Sequence, residues 1–117
     1  MPREKFKTLT EQMYYVLLAL QQEQCGVDIM EAVRQMTDSR IRLGPGTLYT
    51  LLGDFKKAGL IEETGETGES GGTAGGRRTY RIADPGRELL NREHQRHLLL
   101  IEDFRKFYRG EGNEEEA

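Results

Sequence analysis

The chain has 117 residues, and its 17 Lys+Arg stand against 20 Asp+Glu for a formal net charge of −3. That length suits one domain and is too short for two substantial ones. The single Cys25 excludes an intrachain disulfide and a Cys-based zinc cluster. The longest apolar run, Met13 to Leu20, falls far short of the ~20 residues a bilayer span requires. No basic-then-apolar leader opens the sequence, so a soluble cytosolic protein with no membrane partner is expected.

The acidic balance is concentrated at one end. Glu111, Glu114, Glu115 and Glu116 lie in the last eight residues, and without them the remaining 16 acids face 17 bases. A disordered acidic tail over 110–117 is expected, leaving a near-neutral body in which any nucleic-acid contact must rest on local clusters.

In chain order, Met1 to Lys7 reads as a basic arm. Thr8 and Glu11 stand in capping-box spacing, which predicts a helix starting at Thr8 or Leu9. Met13, Val16, Leu17 and Leu20 give it one apolar face, and Tyr14, Tyr15 and Leu18 a second. A helix apolar on two sides fits between its own core and a partner. Cys25-Gly26 is expected to break it. A second helix follows, turning Ile29, Met30, Val33 and Met36 inward and ending near Thr37-Asp38-Ser39.

Pro45 suits the first position of a third helix, where its missing N–H costs no hydrogen bond. Leu48, Leu51, Leu52 and Phe55 form the inward stripe of that helix. Its opposite face carries Gly46, Thr50, Gly53 and Lys57, with Thr47 and Asp54 on one flank and Tyr49 on the other. Gly59 is placed to end it in the left-handed region. Strands are expected over 60–64 and 77–83, with Tyr80 and Ile82 alternating against Thr79 and Arg81, and a Gly-rich loop joins them. Asp84-Pro85 reads as an N-cap followed by a first-turn proline. The last helix then runs to about Arg109. On it Leu90, His94, His97, Ile101, Phe104 and Tyr108 recur at alternating spacings of four and three, a coiled-coil-like seam widened by Leu98, Leu100 and Phe107.

This order predicts a mainly α fold with a small β-hairpin: a winged helix-turn-helix over 1–83, followed by a long C-terminal dimerisation helix over 84–109. The third helix is the candidate for chemistry. Helices that enter the major groove need an exposed face opening with small or hydrogen-bonding residues, because bulk there blocks approach to the base edges. Gly46, Thr47, Tyr49 and Thr50 meet that need, Lys57 extends the face, and Arg40 and Arg42 precede it as phosphate contacts. Arg77 and Arg78 sit where a wing would meet a neighbouring DNA backbone. His94 and His97, with Glu93, could face one side of a helix as metal ligands, but two histidines do not close a site and both fit the seam, so no metal or other cofactor is expected. No nucleophile–base arrangement is present, and no catalytic residue is assigned.

The string Arg42-Leu43-Gly44-Pro45-Gly46-Thr47-Leu48-Tyr49, continued by Gly59-Leu60-Ile61, resembles the recognition-helix signature of PadR-family transcriptional regulators. Arg77-Arg78-Thr79-Tyr80-Arg81-Ile82, with Gly86 beyond, is similar to that family's second wing strand and its exit. Leu9 with Tyr14 to Leu20 resembles its first helix, and Gly26 to Ile29 its second. The likeness runs from about Thr8 to Tyr108 and is closest to the compact branch with one C-terminal helix. It implies a winged helix-turn-helix homodimer, held by the first and last helices through Met13 and the seam residues, that binds an inverted-repeat operator in double-stranded DNA. It also implies repression relieved by a small aromatic or hydrophobic effector, for which Met13, His97, Phe104, Phe107 and Tyr108 could line a site. Departures are the long glycine-rich wing loop, Asp54, which would repel phosphate, and the acidic tail. They motivate an alternative, a winged-helix protein–protein interaction module that has lost DNA affinity.

Overall fold

The computed structural model describes residues 7–66 and 78–110. Arg77, residues 67–76 of the loop, the first six residues of the basic arm and residues 111–117 of the acidic tail lie outside the described residues. Helix α1 spans Glu11–Ala19, α2 Gly26–Met36, α3 Pro45–Lys57 and α4 Asp84–Phe107. Strands β1 (Gln24–Cys25), β2 (Ile61–Glu66) and β3 (Arg78–Ile82) form one antiparallel sheet in the order β1-β3-β2.

The N-cap of α1 is Thr10, not Thr8: its hydroxyl accepts from the Met13 amide at 3.2 Å. Leu9 lies outside the helix because the Thr10 backbone after it is extended, with ψ of 168°; its side chain is buried and its N–H donates to Glu93 Oε1 at 2.7 Å. The helix ends at Ala19, well before Cys25-Gly26. There the chain turns into β1, pairing Gln24 with Tyr80 and Cys25 with Thr79, so the expected hairpin is a three-stranded sheet. Gly26 is the first residue of α2 rather than a break, with Cys25 at its N-cap.

Ile29 and Val33 of α2 are fully buried and Met30 packs against the core, whereas Met36, expected inside, is 41% exposed. Thr37 stops the helix. Its hydroxyl donates to the Val33 carbonyl at 2.9 Å and accepts from the Ile41 amide at 3.1 Å, and Asp38 and Ser39 adopt left-handed φ values of 54° and 65°. The third helix follows its sequence pattern: Pro45 opens it after the Gly44 N-cap, and Leu48, Leu51, Leu52 and Phe55 are all buried. Gly59, with φ of 78°, lets Leu60 N–H reach back to the Phe55 carbonyl at 2.9 Å.

Ile61 pairs with Ile82, Glu62 with Arg81 and Glu63 with Tyr80, after which a bulge at Thr64 shifts the register to Gly65 opposite Thr79. Tyr80 and Ile82 face the core as expected. Thr79, expected outward, is buried, because its hydroxyl joins Thr64 Oγ1 at 2.7 Å and Glu23 Oε2 at 3.2 Å. Those two threonine hydroxyls hold the Glu23 carboxyl below its usual range.

The cap of α4 is Ala83, with Asp84 inside the first turn, where it favours the helix dipole and pairs with Arg87 at 2.9 Å. The helix extends about 36 Å at 1.5 Å per residue and stops at Phe107 rather than Arg109. The described chain has a radius of gyration of 17.3 Å; a compact domain of this size has one of about 13 Å. The far half of α4 accounts for that excess by leaving the core.

Gly86 is the close approach that docks α4 on the wing. A Cβ there would strike the Leu60 backbone carbonyl, which already accepts from Ala83 N–H at 2.9 Å. Gly86→Ala should therefore lower stability by about 1–3 kcal/mol, as overpacking against backbone does, and thermal melting will register it.

Candidate nucleic-acid interface

The sequence of α3 places one stripe in the core and leaves the other side to solvent. Gly46, Thr47, Thr50, Gly53 and Lys57 are exposed along it, and Tyr49 is 48% exposed on the flank. No side chain caps the helix N-terminus, so its first-turn N–H groups are available to an anion. Arg40 and Arg42 are exposed in the segment leading into it. Among the described residues no salt bridge engages Arg40, Arg42 or Lys57. Asp54 is half-buried rather than open on this face.

Tyr49 is more constrained than an open surface residue. Its hydroxyl end lies where a Cβ on Gly26 would stand, so the absence of a side chain at the start of α2 makes room for the ring. This contact ties the flank of the third helix to the N-terminus of the second. The sequence gives no local signal for it, since the two residues belong to different elements.

On the wing, Arg78 is 62% exposed, and its Nε lies 3.4 Å from Glu63 Oε2. Glu63 Oε1 also accepts from Lys56 Nζ at 2.5 Å, and Arg81 pairs with Glu62 at 3.0 Å. The Lys56 hydrogen bond, aided by Arg78, holds the Glu63 carboxyl below its usual range. Beneath this cluster Tyr80 is buried; its phenol is pushed up first by burial and then by Glu63. Lys56 and Glu63 were not among the sequence-predicted residues. Lys56 falls seven residues after Tyr49, two turns along the same flank, and Glu63 belongs with Glu62, Glu66 and Glu69 to the acidic stretch that the sequence sets opposite Arg77, Arg78 and Arg81.

Away from this surface, α4 packs its near end against the core. Leu90 and Met13 are partly buried there. His94 is exposed, and the half-buried His97 ring lies 5.2 Å from Tyr14. Glu93, weighed with the histidines as a metal ligand, is buried and engaged by Arg96, at 2.7 Å and 2.9 Å, and by the Leu9 amide. Among the described residues no three His, Cys, Asp or Glu side chains gather as a metal site. Beyond His97, Ile101, Phe104, Phe107 and Tyr108 are between 48% and 71% exposed, together with Leu98, Leu99 and Leu100, and Phe104 stacks on Tyr108 with centroids 4.6 Å apart. Leu99, 60% exposed, widens the apolar surface beyond the predicted seam. No described helix is long and apolar enough to cross a membrane.

Helices α2 and α3 with the antiparallel wing define a winged helix-turn-helix, the fold class of DNA-binding transcriptional regulators. Residues 16–92 match the transcriptional regulator PadR-like family, and the chain belongs to that family. Its fold is shared by a transcriptional regulator from Clostridium thermocellum, 22% identical over 85% of this chain and 93% of that one, with a TM-score of 0.66. A PadR family transcriptional regulator from Eggerthella lenta is 24% identical over 85% and 83% of the two chains, also at 0.66. Another from Clostridium difficile is 20% identical over 81% and 96%, at 0.65. No curated protein matches the sequence. The family and its fold are those of regulators rather than enzymes.

Proposed function

We propose that this regulator acts as a homodimeric, sequence-specific repressor in the cytoplasm, placing α3 in the major groove of an inverted-repeat operator. The observation that carries the reading is the open face of α3, where Gly46, Thr47, Thr50 and Lys57 stand exposed above a buried leucine stripe. Arg40 and Arg42 suit the flanking phosphates, and Arg78, with Arg77 beside it in sequence, suits the backbone next to the groove. The exposed apolar end of α4, with Ile101, Phe104 and Tyr108, suits a two-fold partner, and the seam runs back from it through His97 and His94 to Leu90 and Met13, which are already partly buried against the core. A small aromatic or hydrophobic effector would act at that interface, near Met13, His97, Phe104, Phe107 and Tyr108. It can release DNA only by binding more tightly to the free form of the dimer than to the DNA-bound form.

The test is a binding titration on DNA upstream of the protein's own coding region. Tyr49→Ala should weaken specific binding about tenfold, the loss of one good groove contact, in a chain that stays folded although its melt falls with the lost packing against Gly26. Arg40→Ala with Arg42→Ala should weaken binding to all sequences and flatten the salt dependence. Unaltered affinity in both variants would remove α3 and its leading segment from the interface.

A further inference from the structure

We propose that Glu63 is an internal counter-anion that opposes DNA binding by occupying Lys56 and Arg78 at the junction of α3 and the wing. The inference rests on the DNA-binding reading above and deepens it by naming a residue that holds the affinity down. Lys56 meets one carboxylate oxygen at 2.5 Å and Arg78 faces the other at 3.4 Å, so a single carboxylate serves two cations drawn from two elements. The burial is unequal. Glu63 is only 24% exposed, whereas Lys56 and Arg78 are 50% and 62% exposed. Both cations thus keep an open side toward solvent while the carboxylate sits beneath them.

A DNA phosphate presents the same chemistry as that carboxylate, an oxyanion accepting from an ammonium and a guanidinium. It must either displace Glu63 or meet two cations already partly neutralised. Lys56 and Arg78 keep Glu63 ionised throughout the neutral range, so the opposition is permanent rather than pH-gated. Exposed ion pairs contribute little to folding, so removing the carboxylate frees the cations without dismantling the wing. Glu62 provides the comparison. It carries the same charge one residue away but engages a different cation, Arg81.

The experiment measures binding of the full chain to a random-sequence DNA duplex by fluorescence anisotropy, from about 50 to 300 mM salt, where phosphate contacts dominate. Glu63→Gln should bind about three- to tenfold more tightly near the middle of that range, with a log–log salt slope steeper by about one to two units, because each added phosphate contact contributes about 0.9. Glu63→Ala should behave the same way. Glu62→Gln should leave the slope unchanged, and adding Lys56→Gln to Glu63→Gln should reverse much of the gain. Weaker or unchanged binding by both well-folded Glu63 variants overturns the proposal, since the carboxylate would then position the cations or stand apart from DNA. Equal gains from Glu62→Gln and Glu63→Gln also overturn it, as a general charge effect. If the unmutated chain binds no duplex at the lowest salt, it is the DNA-binding reading itself that fails.

Discussion

Replacing Glu93 with Ala should cost the protein about 2–4 kcal/mol and detach the N-terminus of α1 from α4, the scale expected when a buried charge-assisted hydrogen bond is removed and a buried donor is orphaned. Glu93 is 2% exposed, accepts the Leu9 amide at 2.7 Å and holds Arg96 through both carboxylate oxygens. Its loss strands the Leu9 N–H in an apolar setting, whereas Arg96, 41% exposed, can turn to water. Glu93→Gln keeps an acceptor for Leu9 and should cost less.

The same group sets an acid dependence. Arg96 first, with the Leu9 amide and nearby charge assisting, brings the Glu93 carboxyl down from its ordinary 4.5 to about 2. A carboxyl with a depressed folded-state pKa stabilises the fold fully above its unfolded value, and that contribution is lost as pH falls toward the folded one. Glu93 alone should therefore account for about 1–2 kcal/mol of the stability lost between pH 4.5 and 2, a figure discounted for the solvent exposure of Arg96. Chemical denaturation across that window should show the loss in the wild type and a markedly shallower trend in Glu93→Gln.

Charging the far end of α4 should have an equally large effect on assembly. Ile101 is 48% exposed in the single chain, and Leu98, Leu100 and Phe104 around it are exposed as well. If a second copy covers that surface, Ile101→Glu places an unpaired charge in the apolar seam on each side of the two-fold axis. Each copy of the charge then faces a desolvation cost of several kcal/mol, enough to shift a micromolar dimer to monomer. Sedimentation or light scattering at micromolar concentration should report a dimer for the wild type and a monomer or unfolded chain for the variant. A well-folded wild-type monomer would remove the dimer from the account. Operator affinity should fall together with dimerisation, since a two-fold site is read by two recognition helices at once.

Where periodicity is long and unbroken, the elements could be read directly. The leucine stripe of α3 and the Gly59 stop needed nothing beyond spacing, and the open side of α3 follows from the same spacing. Strand β1 was illegible because two residues cannot display alternation, and its existence depends on pairing with β3 more than fifty positions away. A start at Thr8 or Leu9 follows from the local Thr8–Glu11 spacing, whereas the extended Thr10 backbone sets the cap further along, and Leu9 is anchored instead by Glu93, 84 positions along the chain. Glu93 itself reads as a solvated charge on an amphipathic helix, since nothing nearby in sequence announces a buried amide in need of an acceptor. Glu63 was hidden for a related reason. On paper it is one of several wing carboxylates, and only the fold brings it between Lys56 and Arg78.

The central claim is that two copies of α3 read one operator, and footprinting on the DNA upstream of the coding region tests it most directly. Two copies should protect an inverted repeat whose half-sites lie about one helical turn apart, roughly 34–36 Å centre to centre. The protection should fade steeply with added salt and be lost in Ile101→Glu. Protection of a single half-site unaffected by Ile101→Glu, or no protection at any salt concentration, would contradict it.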